Sequence, residues 1–320
     1  MNPIEVVTTQ HNAHINPTLH IWGWEIPVYL FLGGMVAGVM VLLGALELRR
    51  KQRPTSTAAR LMPFVAIGLL SLGMGALFLD LEHKSHVYRF YMTFEPSSPM
   101  SWGSWILLGV YPVLLLLGMG ALGAEQREWV AGKLPFAQRA VARSFELADR
   151  FRRAVVWASI VLGVGLGVYT GLLLGTMAAR LQWNNGLLAP LFLTSGVSTG
   201  AALMMLFHLE EEEHSLFVRW DSVAIVVEIF LIAAMLISFA SGGATDLAAA
   251  RTVLGGPYTH WFWAPVVVGG LLVPLAMNLL EVRGRARRSV LAPIMVLVGG
   301  LALRAVLVAA GQATSFASLG

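Results

Sequence analysis

The chain has 320 residues, of which 57% are hydrophobic and only 12% charged, with a mean hydropathy of +0.70. An average soluble domain carries about a quarter charged residues, so an ordinary water-soluble globule is excluded. The absence of cysteine likewise excludes disulfides and cysteine-ligated iron–sulfur clusters within the chain.

A polar opening segment, residues 1–26, lacks the basic start and short apolar core of a cleavable signal peptide, and is expected to lie outside the membrane on the periplasmic side. Apolar runs then follow at Pro27–Leu48, Leu61–Leu81, Met100–Gly123, Val155–Met177, Leu187–Phe207, Ser222–Ala240, Trp261–Leu280 and Val290–Gly311. Each is close to the roughly 20 residues that carry a helix across about 30 Å of hydrocarbon. The expected fold is an all-α integral membrane protein of eight transmembrane helices.

The formal charge of +4 and the sequence pI of 9.7 would fit a nucleic-acid partner, but the basic residues sit in alternate loops. Five follow helix one, seven follow helix three, Arg219 follows helix five and four lie between Arg283 and Arg288. Basic loops stay in the cytoplasm. Both termini are therefore expected outside, and no nucleic-acid partner is expected.

An internal duplication is suggested by FLGGMVAGVMVLLGALE (31–47) and FLTSGVSTGAALMMLFHLE (192–210), where aligning Gly38 with Gly200 also pairs Gly34 with Gly196. Small residues at this spacing also recur in unrelated membrane bundles, because they let backbones approach. The expected division is a first four-helix bundle over 27–177, with a charged cytoplasmic linker at 124–152, and a second over 178–320. The outer loop 82–99 is longer than the 2–8 residues common between bundle helices, which suggests a docking surface or a site cover.

Residues suited to chemistry concentrate at the outer end: Glu25, Tyr29, Asp80, His83, His86, Trp102, Trp105, Tyr169, Tyr258 and His260. Tryptophans there also serve as interfacial anchors. Carboxylates at a membrane mouth instead point to protein or a water-filled cavity, which singles out Glu25 and Asp80. Tyr169, in GVYTGLLLG (167–175), stands inside helix four among glycines, where its phenol suits a ligand carbonyl or a neighbouring helix. At the other end, FHLEEEEH (207–214) is read as the acidic close of helix five, with Glu210 in it. Glu228, Glu281 and Arg304 lie deeper; Glu228 and Arg304 suit either an ion pair or a proton route. All eight histidines lie in the N-terminal tail, in loops or at helix ends, so a buried bis-histidine haem is not expected. No metal site is expected either.

Three stretches, WGWEIPVYLFLGGMVAG (22–38), SPMSWGSWILL (98–108) and YTGLLLGTMAARLQWNNGLLAPLFLTSGVSTGAA (169–202), together with AGQ (310–312) in the closing helix, resemble the NrfD/polysulfide reductase membrane-subunit family. The resemblance spans essentially the whole chain. It implies a haem-free anchor in a bacterial or archaeal cytoplasmic membrane, exchanging electrons between a quinone pool (menaquinone or ubiquinone) and a partner. That partner would be a ferredoxin-like, four-cluster iron–sulfur subunit on the outer face, often with a molybdopterin catalytic subunit beyond it. Tyr169 matches a tyrosine that hydrogen-bonds quinone in the family, whereas Ile26 and Tyr29 stand where a polysulfide reductase relative has Asn and His. Quinone contacts are expected from Tyr169, Tyr29, Glu25, Trp102, Asp80 and His83. Proton transfer is expected through Glu228, Arg304, Glu210 and Asp80. The competing reading is a proton- or ion-coupled transporter or channel, whose site would lie near the midplane; the outer concentration of polar groups favours the quinone reading.

Overall fold

The computed structural model describes residues 22–133, 138–177, 180 and 182–314, so most of the expected N-terminal segment lies outside it. The regular secondary structure of the described residues is all helical, with no strand among them. Among the described residues eight helices are long and apolar enough to cross a membrane, and the protein is a multi-pass membrane protein.

The first span is α1 (Glu25–Arg50), closed by Arg49 and Arg50 in its last turn and by Lys51 in the left-handed conformation. Cations there oppose the negative end of the helix dipole. The second is α2 (Thr57–Asp80), whose N-cap hydroxyl, Ser56 Oγ, accepts from the Ala59 amide. A short helix α3 (Arg89–Met92) lies in the following loop, and α4 (Pro99–Ala121) forms the third span, with Pro99 pre-set for its first turn. The linker contains α5 (Ala124–Lys133) and the amphipathic α6 (Gln138–Arg150). The fourth and fifth spans are α7 (Arg152–Gly175) and α8 (Leu188–Met205).

The sixth span departs from the sequence reading. Helix α8 ends at Met205, and the acidic run opens α9 (Glu211–Ala240) instead of closing helix five. Carboxylates are favoured in a first turn, where they meet the unpaired amides and the positive end of the dipole. Residues Val223, Val226, Phe230 and Ile237 on α9 are each more than half exposed, a spacing that presents one apolar face to lipid.

Beyond a short α10 (Ala244–Val253), the seventh span runs Thr259–Val282 as α11 (Thr259–Phe262), a π-helical stretch Trp263–Leu272 and α12 (Val273–Val282). Pro265, within the π stretch, has no amide to donate, which suits local re-registration of the backbone ladder. The eighth span is α13 (Leu291–Ala313).

Helix α1 packs on α2 and α7, and α4 bridges α2 and α7; α8 packs on α9 and α13, while the seventh span joins α9 to α13. The most extensive contact joins these sets through α1 and α8. Here the glycines aligned in the sequence meet each other. A Cβ on Gly196 would strike the Gly34 carbonyl, one on Gly38 would strike the Gly196 carbonyl, and one on Gly200 would stand 2.8 Å from the Gly38 carbonyl carbon. The small residues let the two backbones touch.

The described ends also meet. Trp22 and Gln312 exchange hydrogen bonds of 3.0 Å in both directions, so the start and finish of the bundle share one end.

Candidate functional site

At that shared end, α1, α2, α4 and α7 enclose a cavity of about 190 Å³. Its walls are largely apolar, with Met74, Leu77 and Leu107 among them; its polar groups are the phenols of Tyr29, Tyr91 and Tyr169, the Ser104 hydroxyl and the Asp80 carboxylate. Tyr29 and Tyr169 are buried neighbours in the wall, whereas Asp80 is half-buried at the end of α2. Burial raises the Tyr91 phenol above its ordinary value, so it stays protonated and able to donate.

The stretch SPMSWGSWILL builds this cavity through its smallest residues. Gly103 is decisive: any Cβ there would overlap the Tyr169 ring and its hydroxyl, so the bare backbone of α4 seats the phenol. Ser101 Oγ accepts from the Glu95 amide at 2.9 Å and donates to the Thr93 carbonyl at 3.3 Å. Ser104 Oγ lies 2.7 Å from the Phe90 carbonyl and 2.8 Å from the Ser101 carbonyl. These bonds fasten the 82–98 loop onto α4, and Val87, Phe90 and Tyr91 of the fastened loop line the cavity. The hydroxyls are therefore the attachment of a cover.

The closing helix supports the opposite wall. Gln312 brackets the Trp22 backbone, and Trp22 stacks on Trp183 with ring centroids 5.1 Å apart. Trp183 donates to the Leu307 carbonyl at 2.8 Å, over Gly311, where a Cβ would overlap its indole nitrogen. The motif AGQ thus holds Trp22 in the cavity wall.

A second polar set threads the other spans. His214 meets Glu281 at 2.8 Å near the basic end. Deeper, Asp221 accepts from Ser198 at 2.6 Å and from Asn278 at 2.7 Å, all three buried. Glu228 follows about two turns along α9, beside Ser195 and Thr199. Arg304, fully buried, donates to Ser195 Oγ at 2.7 Å and to the Gly300 and Phe192 carbonyls, with its guanidinium 5.2 Å from the Phe192 ring centroid. Among the described residues Glu228 and Arg304 form no direct ion pair; Ser195 lies between them.

Of the residues expected to contact quinone, the structure brings Tyr29, Tyr169 and Asp80 into one cavity. Glu25, Trp102 and His83 lie outside its lining: Trp102 donates to the Pro96 carbonyl at 2.8 Å, His83 is exposed beside His86, and the Glu25 side chain folds back over Gly23. Of the proton-transfer residues, Glu228 and Arg304 are buried together, whereas Glu210 is exposed and accepts from Thr55 at 2.7 Å. The glycines around Tyr169 serve packing: Gly167 and Gly171 let α8 approach. Sequence reasoning missed Gly103 and Asp221, and it read Tyr91 only as part of a loop that covers or docks. An acid in VRWDSVAIV (218–226) was the available signal for Asp221, hidden because helix six was expected to begin at Ser222.

Comparison with known proteins bears on this arrangement. The family model described as "Polysulphide reductase, NrfD" matches residues 9–317. Protein NrfD of Escherichia coli is 33% identical over 312 residues, covering 92% of this chain and 96% of that protein. A polysulfide reductase polypeptide of Wolinella succinogenes is 28% identical over 305 residues, covering 91% and 94%. A selenate reductase polypeptide of Mesobacillus selenatarsenatis is 26% identical over 204 residues, covering 58% of this chain and 47% of its own. With a family model matching almost end to end and an eight-span helical fold to carry it, the chain belongs to the NrfD polysulphide reductase family.

Proposed function

We propose that this chain is the haem-free, quinone-binding membrane anchor of a respiratory oxidoreductase complex, exchanging electrons between a quinone pool and an iron–sulfur partner subunit. One observation carries the reading: an apolar cavity with the paired phenols of Tyr29 and Tyr169 in its wall, Ser104 beside them and a carboxylate, Asp80, at the end of α2. A quinone headgroup is flat and apolar with opposed carbonyl acceptors, which suits such walls and donors. Relatives named as parts of a polysulfide reductase and of a selenate reductase support a place in a reductase complex.

Quinone, when bound, takes up or releases two electrons and two protons, with electrons exchanged through the partner's clusters. The chain's own task is positioning and proton access. Tyr29 and Tyr169 donate to a headgroup oxygen, Asp80 holds a proton at the rim, and the fastened loop limits water. The partner is a ferredoxin-like, four-cluster subunit. A molybdopterin catalytic subunit acts on the terminal substrate, so this chain alone does not turn that substrate over. The cavity end faces outward from a bacterial or archaeal cytoplasmic membrane. The succession from the half-buried Glu281 through the buried His214, Asp221, Glu228 and Arg304 supports proton movement from the basic end as an added function.

The test is purification of the complex from native membranes in mild detergent, followed by assays for iron, haem absorbance and extractable quinone. Quinone and iron without haem in this chain are expected. A lone chain that carries neither, under detergent conditions that preserve a known respiratory complex, would overturn the reading in favour of a transporter.

A further inference from the structure

We propose that the basic end of the bundle carries a specific site for an anionic phospholipid, in the cleft between the last turn of α1 and the first turns of α7. The cleft encloses about 840 Å³, on the opposite side of the membrane-spanning region from the tyrosine cavity. Lys51, Arg150 and Arg153 line it, all three exposed, and among the described residues none has a carboxylate within ion-pairing distance. The two acids in the lining are already committed. Glu47 is bound to Arg152 at 3.0 Å, and Asp149 is held by both Arg53 and Arg127. The cleft therefore presents free positive charge despite its carboxylates.

Its other wall is apolar. Leu48 and the buried Val156 are among its lining, and Trp157 and Phe151 stand 56% and 48% exposed beside the cations. A tryptophan at a helix end among arginines marks the headgroup level of a bilayer. Cations above and apolar surface below match the two parts of one molecule, a phosphodiester headgroup and its acyl chains. Basic pockets between spans are known to select such headgroups. A free phosphate would satisfy the cations but leave Trp157 and Phe151 uncovered, so the occupant is a membrane lipid. The site is independent of the quinone reading, since it shares no residue with the tyrosine cavity.

The test uses the full chain in nanodiscs of phosphatidylcholine doped with phosphatidylglycerol, with retained lipid counted by native mass spectrometry. The wild-type protein is expected to retain phosphatidylglycerol at least tenfold over its share of the bilayer. Each basic residue near such a headgroup multiplies binding by roughly fivefold, so the K51Q/R150Q/R153Q variant is expected to lose that preference. Arg153→Gln alone, at an exposed position without partners, keeps the test available if the triple variant fails to fold, with about a fivefold drop expected. Equal retention of the two lipids by the wild type, or unchanged preference in the variants, overturns the proposal. Displacement of the lipid by millimolar inorganic phosphate overturns it as well, because the site would then recognise only the anion.

Discussion

The phenol of Tyr169 occupies the space that a side chain at position 103 would fill, so α7 presents its tyrosine to the cavity only because α4 has no Cβ at Gly103. Gly103→Ala should push the ring aside while leaving eight spans to assemble. A displacement on the order of 1 Å in a positioned group costs about a hundredfold in rate. Quinone-linked turnover of the assembled complex should therefore fall at least tenfold. Tyr169→Phe keeps the ring and removes one hydrogen bond, about 0.5–1.5 kcal/mol, so a smaller loss is expected. Steady-state kinetics on purified complexes of both variants would separate placement from hydrogen bonding; full activity in Gly103→Ala would show that Tyr169 is not used.

Gln312 joins the far end of the chain to the cavity wall through two backbone hydrogen bonds to Trp22. Gln312→Leu removes both, each worth about 1 kcal/mol net. A lowered thermal midpoint in detergent, with weaker quinone retention, is expected. Equal stability would show that the Trp22–Trp183 stack holds the wall unaided.

The α1–α8 crossing allows no substitution on its inner line, since a Cβ on Gly38 overlaps the Gly196 carbonyl backbone to backbone. Neither partner is a flexible side-chain end. Gly38→Val should leave little folded protein in the membrane fraction, whereas Gly68→Val, where a Cβ meets nothing within 4 Å, should be recovered at the wild-type level. Fluorescence-detected size-exclusion chromatography of both would decide this.

Glu228 is the carboxylate between the Asp221 cluster and the Arg304 cluster. On the proposed proton route, Glu228→Gln should uncouple proton movement from electron transfer: quinone-linked electron transfer persists, while acidification measured in proteoliposomes falls severalfold. Undiminished acidification would remove Glu228 from any proton route.

At the basic end, the Arg127 guanidinium bonded to Asp149, joined by Arg53, holds that carboxyl well below the usual carboxylate range. A depressed folded-state value contributes stability above the unfolded value of about 3.9 and loses it as pH falls toward the folded one. The tie between α6 and its neighbours should thus be intact at pH 7 and at pH 5, and weaken only in stronger acid. Amide exchange across Ala124–Lys133 and Gln138–Arg150 should be unchanged from pH 7 to pH 5 after correction for intrinsic rates. Protection lost already at pH 5 would contradict this assignment.

The spans were legible because hydrocarbon demands about 20 apolar residues, a signal that needs no tertiary information. The family resemblance pointed at Tyr169, and the structure places it in a cavity with Tyr29 and Asp80. What the sequence hid was which small residue serves which contact. Glycines near Tyr169 in sequence pack against α8, while the one that seats its ring comes from α4, 66 positions away by number (169 against 103). Trp102 drew attention as an aromatic at a mouth, yet its indole caps the Pro96 carbonyl, and the plain serines beside it fasten the loop. Such roles depend on side-chain direction across helices, which periodicity does not report. Asp221 was lost to a boundary error, since an acidic run reads as a polar loop until the helix it opens is known.

The most direct test of quinone binding is photolabelling of the purified complex with an azido-quinone, followed by peptide mapping. Label on the peptides containing Met74–Tyr91, Met100–Leu107 and Tyr169–Met177, competed by unlabelled quinone, is the expected result. Competable label confined to α9 or α13, with none on those peptides, would contradict quinone binding in the tyrosine cavity.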